Sequence, residues 1–321
     1  NAPSGSAGTT ATLTERMHID SSGNVGIGTI SPMGLLDLTV GQAKTVTSGV
    51  TFAQLGKTNE ASNYASLQCQ VSGAASAANR SWEFQTIEQG IANAGNIVFQ
   101  KDGGNVGIGT SSPTALLQLS STGNPGLVFD GTNQATDLKR IRIATQVAAA
   151  GDFAIQSMND AGSVKSTNLY INASGAVTMP LQPAFYATPS SPQTGLAAND
   201  SAVTVAMGTE IFDVGGNFAS STFTAPVTGK YQLNLSLYMT TVDTAASYIL
   251  IGIITSNRNY INILSPKYAS DPAYLTQNIS TLADMDAGDT AYVYYQQSGG
   301  AAQTAVQDDT RGSFFQGYLV A

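Results

Sequence analysis

The feature that most constrains this chain is a phrase it uses twice. Met17-His18-Ile19-Asp20-Ser21-Ser22-Gly23-Asn24-Val25-Gly26-Ile27-Gly28-Thr29 is followed by Ser31-Pro32 and then by Leu35, Leu36 and Leu38. It returns as Gly104-Asn105-Val106-Gly107-Ile108-Gly109-Thr110, then Ser112-Pro113, then Leu116, Leu117 and Leu119. A decayed third copy runs from Leu169 through Asn172, Gly175 and Val177 to Pro180. Each copy reads as a short alternating strand, a Gly turn, a second short strand and a terminating Pro. Gly26 and Gly28 strip side chains from one face, which permits close backbone approach within a chain or at a three-fold axis. Repetition of this kind points to a shaft of β units, and no sustained helical period competes with it.

Between the copies, Trp82–Ile87, Ile97–Gln100, Leu127–Phe129 and Ile141–Ile143 read as short strands separated by small polar turns. Pro180, Pro183, Pro189 and Pro192 then mark a linker. Beyond it the strands lengthen. Tyr231–Met239 alternates strictly, with Leu233, Leu235 and Leu237 on one face, and Tyr248–Ile254, Ala291–Gln296 and Ser313–Val320 follow. Eight or so such strands joined by turns imply a sandwich or jelly roll. The expected fold is therefore all-β: a repeat-containing, trimeric β shaft followed by a C-terminal antiparallel jelly-roll head. The expected divisions are an N-terminal extension or fragment edge over 1–16, shaft repeat 1 over 17–97, shaft repeat 2 over 98–168, a partial third repeat and linker over 169–182, and the head over 183–321.

Composition narrows the function classes. Charged residues are 11% of the chain, against about 25% in ordinary soluble domains, so the surface is mostly neutral and polar. That suits a rigid extracellular β-fibre locked into an oligomer. Net charge is −8 and no basic run exceeds Lys139-Arg140, so the stripe that displaces counterions from nucleic acid is missing. The longest apolar run, Tyr248–Ile254, is strand-sized and far short of a membrane-spanning helix. Cys69 is the sole cysteine, which excludes an intrachain disulfide framework.

The Gly-Asn-Val-Gly-Ile-Gly-Thr…Ser-Pro phrase resembles the shaft repeats of bacteriophage tail fibres and related trimeric adhesins. The C-terminal part resembles the globular head of complement first component q, a tumour-necrosis-factor-like jelly roll. Pro183–Ala187 looks like its opening strand. Phe223-Thr224-Ala225-Pro226-Val227-Thr228-Gly229-Lys230-Tyr231 looks like its Phe-x-x-Pro-x-x-Gly-x-Tyr turn, Ala287-Gly288-Asp289 like its Gly-Asp turn, and Ser313–Leu319 like its closing strand. The resemblance implies a trimer that binds ligands without catalysis. Some members bind calcium, and no calcium ligands can be matched residue by residue. The expected setting is a virion tail fibre or another extracellular structure. Its partners would be other virion tail or baseplate proteins and a host surface glycan or protein. The alternatives are a cellular adhesin or filament-tip protein and, further off, a polysaccharide depolymerase.

Chemistry-bearing motifs are weak. Gly56-Lys57-Thr58 lacks the Gly of a phosphate loop, since Thr51 stands in that place. His18 is the sole histidine and reads as a strand side chain, which weakens any His-based triad or metal site. Asp284, Asp286 and Asp289 do not follow the calcium-loop spacing and read as a solvated turn. A glycan-cleaving pair needs two acids about 5–10 Å apart, and Glu83 with Glu88 or Asp308 with Asp309 carry no supporting signature. No catalytic residue and no cofactor is expected.

Short connections in an antiparallel sandwich alternate between its two ends. On that rule loops 240–246, 265–274 and 298–311 share the end away from the shaft, and loops 256–259 and 284–290 share the other with the C-terminus. Receptor contacts are expected among Asp243, Lys267, Tyr268, Asp271, Tyr274, Asp308, Asp309 and Arg311, because long loops on a rigid scaffold commonly carry binding. On the closing strand Phe315, Gly317 and Leu319 alternate with Phe314, Gln316, Tyr318 and Val320. The second set is largely apolar, so Phe314, Tyr318 and Val320 are the expected trimer-interface residues.

Overall fold

The structure, a computed structural model, describes residues 15–38, 50–55, 65–72, 81–88, 97, 99–100, 103–131, 133–137, 140–308 and 312–321. Gly56-Lys57-Thr58, Asp309 and Arg311 lie outside them. Every regular element among the described residues is a strand. The chain divides into two compact units, Asn1–Gln118 and Leu119–Ala321.

The first unit holds β1 (Met17–Ile19), β2 (Val25–Ile27), β3 (Leu36–Leu38), β4 (Val50–Leu55), β5 (Ala65–Ser72), β6 (Ser81–Glu88) and β7 (Val106–Ile108), and the division falls within β8 (Leu117–Leu119). In the first copy of the phrase, β1 and β2 form an antiparallel hairpin, and Asp20 Oδ1 accepts from the amides of Ser22 (2.8 Å) and Asn24 (2.9 Å). β3 then returns parallel to β2, a pairing that a hairpin grammar does not foresee. In the second copy β7 pairs with β8, and Val106 N donates to Leu116 O (2.8 Å) as Val25 N does to Leu35 O (2.9 Å). Ile97 and Phe99, expected in a strand, are outside any strand, and Gln100 takes a left-handed φ of 57°. The glycines serve the chain's own turn: a Cβ on Gly26 would lie 2.5 Å from Thr29 O, and one on Gly107 would lie 2.5 Å from Thr110 O. β4, β5 and β6 make a separate antiparallel meander with Cys69 buried.

The second unit opens with a five-stranded antiparallel sheet in meander order: β9 (Gly126–Asp130), β10 (Arg140–Thr145), β11 (Phe153–Met158), β12 (Val164–Ile171) and β13 (Val177–Thr178). The decayed third copy is its last hairpin. Ile171 faces Val177 as Ile19 faces Val25, Asn172 replaces Asp20 in accepting from the turn, and Gly175 (φ 85°) replaces Gly23 (φ 84°). The turn at Asn159–Ser163 repeats this design. Asn159 Oδ1 accepts from Ser163 N (2.7 Å), and Gly162 takes a φ of 85°. This further occurrence escapes the sequence reading because its flanking strands lack the Val-Gly-Ile signature.

The head follows with β14 (Ala184–Thr188), β15 (Val203–Thr204), β16 (Thr209–Val214), β17 (Phe218–Ala219), β18 (Thr222–Thr224), β19 (Gly229–Thr240), β20 (Tyr248–Thr255), β21 (Asn259–Leu264), β22 (Tyr274–Met285), β23 (Thr290–Ser298), β24 (Ala305–Val306) and β25 (Phe314–Leu319). One sheet runs β16-β14-β25-β19-β22 and the other β17-β18-β23-β20-β21. The chain crosses between the sheets from β18 to β19, β19 to β20, β21 to β22 and β22 to β23, with every pairing antiparallel. That strand order is a jelly roll.

Alternation builds the core. Tyr231, Leu233, Leu235, Leu237 and Met239 of β19 are buried, and they meet Ile249, Ile251 and Ile253 of β20 and Val293 and Tyr295 of β23. Full burial of each large aliphatic side chain contributes roughly 1.5–3 kcal/mol. The Phe-x-x-Pro-x-x-Gly-x-Tyr segment is the corner between β18 and β19. Phe223 is a core ring, and Tyr231 donates its hydroxyl to Val227 O (2.8 Å). Gly229 lets the closing strand approach, since a Cβ there would meet Leu319 Cδ1 at 2.6 Å and Ala321 O at 2.7 Å.

Candidate functional site

The two ends of the jelly roll differ in what they carry. At one end lie the chain's way in and its C-terminus: Leu319 N donates to Pro183 O (3.0 Å), Gln182 Nε2 to Leu319 O (2.7 Å) and Lys230 N to Ala321 O (2.7 Å). The turns at 256–259 and 284–290 meet at that end too. Asn257 Nδ2 donates to Asp289 Oδ2 (2.8 Å), and Arg258 pairs with Asp284 (2.9 Å). Hydrogen bonds to Asp284 and the charge of Arg258 outweigh desolvation and hold its carboxyl below the ordinary range.

The opposite end gathers the loops after β19, β21 and β23. Asp271 joins all three: its Oδ1 accepts from Thr244 N (2.9 Å) and Thr244 Oγ1 (2.7 Å), and its Oδ2 from Gln303 Nε2 (2.8 Å). These bonds, the Thr244 amide first, lower its pKa. Thr241 Oγ1 donates to Gln303 O (2.6 Å) and Lys267 Nζ to Thr244 O (3.4 Å). Asp243 is buried, at 8% exposure, with its carboxylate accepting from the amides of Ala245 (2.7 Å) and Ala301. Asp243, expected as a receptor contact, is therefore a buried loop brace, whereas Asp271, expected as another, braces the loops through its oxygens and stays exposed. Asp308 is half-buried and engaged within the protein.

Tyr268 (46% exposed), Tyr274 (65%), Lys267 and Asp271 are exposed at this end. Tyr274 is the first residue of β22 and no loop residue, and its ring stacks on Tyr238 at 6.0 Å and 17°. The tip thus presents the Tyr238–Tyr274 stack and the exposed ring of Tyr268.

Two parts of the tip escape the sequence reading. Gln297 is fully buried, accepts from Tyr295 Oη (2.6 Å) and Thr304 Oγ1 (2.9 Å), and donates to Gly299 O (2.9 Å) and Ala301 O (3.0 Å). It pins the loop after β23 to the core. A polar residue at an inward position of an alternating strand was its signal. The segment before β15 also reaches the tip. Asp200, at a left-handed φ of 67°, accepts from Tyr248 Oη and from Gln296 Nε2 (2.8 Å), and Gly299 N donates to Ala198 O (3.0 Å). The Tyr248 bond, then the Gln296 bond, lowers the Asp200 pKa, and the same Asp200 bond raises that of Tyr248.

The outer face of the β16-β14-β25-β19-β22 sheet carries the expected interface residues. Phe314 stacks on Tyr186 at 5.4 Å, and Tyr186 meets Phe212 at 6.0 Å. Phe314 is half-buried by this stack, whereas Phe212 (47%), Tyr318 (49%) and Val320 (50%) stand open. Among the described residues, no cluster of three or more His, Cys, Asp and Glu side chains is arranged to hold a metal ion.

No protein-family model and no curated protein matches the chain. Solved structures similar to its C-terminal part include the globular domain of zebrafish complement 1qA protein. That domain is 15% identical and is matched over 98% of its length and 44% of this chain, with a TM-score of 0.31. Murine APRIL, in crystals at pH 8.0, is 12% identical over 99% of its length and 43% of this chain, with a TM-score of 0.32. It is the C-terminal part of this chain, about 44% of its length, that resembles these two structures.

Proposed function

We propose that this chain is a homotrimeric fibre protein of the bacteriophage tail-fibre kind, which attaches a virion to a cell surface through the tip of its jelly-roll head and catalyses no reaction. The observation that carries the reading is the tip itself. Three loops separated by tens of residues are braced to one another at the end away from the chain's way in. The braces are internal, and Tyr268, Tyr274 and Lys267 are left facing out. Flat aromatic faces beside hydrogen-bonding groups suit a glycan or a surface protein, and a rigid loop scaffold lowers the ordering cost of binding. The twice-used Gly-Asn-Val-Gly-Ile-Gly-Thr phrase supports the fibre part of the reading. The open apolar face around Phe212, Tyr318 and Val320 supports the trimer.

The test replaces Tyr268 and Tyr274 with Ala and, separately, shortens 298–307. Trimers that stay intact in light scattering but lose cell binding are the expected result. Unchanged binding in both variants refutes the tip as the contact surface, and a monodisperse monomer at micromolar concentration refutes the trimer. New reducing ends after incubation with capsule or lipopolysaccharide would overturn the non-catalytic reading.

A further inference from the structure

The β9–β13 sheet is built inside out for a single chain. The register sets Leu127 opposite Ile143, Ile143 opposite Ile155 and Ile155 opposite Leu169, so one rank of branched side chains crosses four strands on one face. A second pair, Phe129 with Ile141, and a third rank, Phe153 with Ile171 and Val177, complete that face on either side. It holds no charged side chain. Leu127 (49%), Phe129 (54%), Ile141 (47%) and Val177 (58%) are exposed and the other apolar residues on the face are half-buried. The opposite face buries Ala144 (2%), Ala154 (0%) and Gln156 (6%). Beside them Asp152 draws in residues 147–149 by accepting from their amides (2.7–2.8 Å) and accepts from Tyr170 Oη (3.2 Å). The chain's own atoms therefore cover Ala144, Ala154, Gln156 and Met158 on that side, where Val128 and Val164 remain exposed, and leave no residue of the aliphatic face fully buried. A contiguous exposed apolar face on a soluble protein marks an interaction surface.

We propose that the aliphatic face of the β9–β13 sheet packs against the same face of other copies of this chain, forming a second oligomeric core next to the head. This rests on the head trimer of the proposed function, and the connection between the two supplies the reason for a second copy as occupant. β13 ends at Thr178 and β14 begins at Ala184. The connection reaches at most roughly 20 Å when fully extended, and its end is clamped to β25 by the bonds of Gln182 and Pro183 to Leu319. Heads held together keep their sheets within that tether, at an effective concentration in the millimolar range. Identical uncharged aliphatic faces at that concentration outcompete a partner in dilute solution.

The test uses the full chain with Cys69→Ser. Phe129→Cys and Val177→Cys report on the aliphatic face. Val128→Cys and Val164→Cys, 46% and 44% exposed and lying off that face, serve as controls. Tyr318→Cys reports on the head. Expected are at least tenfold slower reaction of the two face thiols with a polymer-bearing maleimide, and multimers formed by a short bismaleimide from the face thiols but not from the controls. Face thiols that react as fast as the controls, in a chain that light scattering and Tyr318→Cys cross-linking show to be trimeric, overturn this inference and leave the head trimer standing. A monomeric chain without Tyr318→Cys cross-links overturns both. Protected face thiols in a monomer mean that another segment of the same chain covers them, which also overturns it.

Discussion

Asp243 separates a loop brace from a receptor contact. Its carboxylate holds the amides of Ala245 and Ala301, which belong to loops far apart in sequence, and its exposure is 8%. Hydrogen bonds to a charged partner contribute about 1.5–3 kcal/mol each, so the two together are worth about 3–6 kcal/mol. Part of this offsets desolvation of the carboxylate, leaving an expected cost of about 3 kcal/mol for Asp243→Ala. Asp243→Asn retains one acceptor and should cost about 2 kcal/mol. For a domain the size of the head, each kcal/mol moves the midpoint by roughly 3–5 °C, so Asp243→Ala should melt about 10–15 °C lower, with Asp243→Asn between it and the parent. Circular dichroism melts paired with cell-binding measurements decide the matter. An Asp243→Ala protein that melts within about 2 °C of the parent yet no longer binds cells would refute the bracing role and restore Asp243 as a contact.

The depressed pKa of Asp271 makes the tip acid-sensitive. Its folded value lies below the unfolded one, so its contribution is complete above about pH 4 and is lost as pH falls through the lower folded value; proteolysis of loops 240–246 and 298–307 should accelerate across that window and not between pH 6 and 8. Burial pushes the Tyr295 hydroxyl up to about 12, so the stability it confers is present below about pH 10 and lost as pH rises through about 12; alkaline titration by ultraviolet absorbance should find it ionising together with unfolding, and Tyr295→Phe should remove that step. Gly317→Ala should cost about 2 kcal/mol, because the new methyl would meet Leu233 Cδ2 at 2.6 Å and Phe185 Cε1 at 2.8 Å in the closed core. Gly252→Ala should cost less than about 1 kcal/mol, since its obstacle is the Tyr294 ring at 2.3 Å, on a partly exposed side chain that can turn aside; denaturant melts that rank the two the other way would refute the packing argument.

Period-two alternation is a local property, and it made much of the head legible. β19 and β20 fall where Tyr231–Met239 and Tyr248–Ile254 alternate or run apolar, and Leu233, Leu235 and Leu237 share the buried face. The gathering of three loops at one end followed from counting antiparallel strands, which needs no knowledge of which strands pair. The Phe223–Tyr231 corner was legible because Gly229 and Tyr231 do their work within a few residues of each other or against the chain terminus. In the first two copies the phrase marked the turns correctly but not the parallel return of β3 along β2, and Ile97, Phe99 and Gln100, expected in a strand, lie outside any.

Tertiary structure alone decided which polar residues face outward. Asp243 and Asp271 carry the composition of surface contacts, and only the approach of residues tens of positions away buries Asp243 and engages the oxygens of the still exposed Asp271. Asp200 and Gln297 enter the tip for the same reason, through partners supplied by β20, β23 and the loop that follows. The aliphatic face of the β9–β13 sheet likewise appears only once five strands are in register, because each strand by itself carries just two or three of its residues. A strand's own alternation says that it has two faces. Which of the two is covered, and by what, is set by pairing and packing between distant segments.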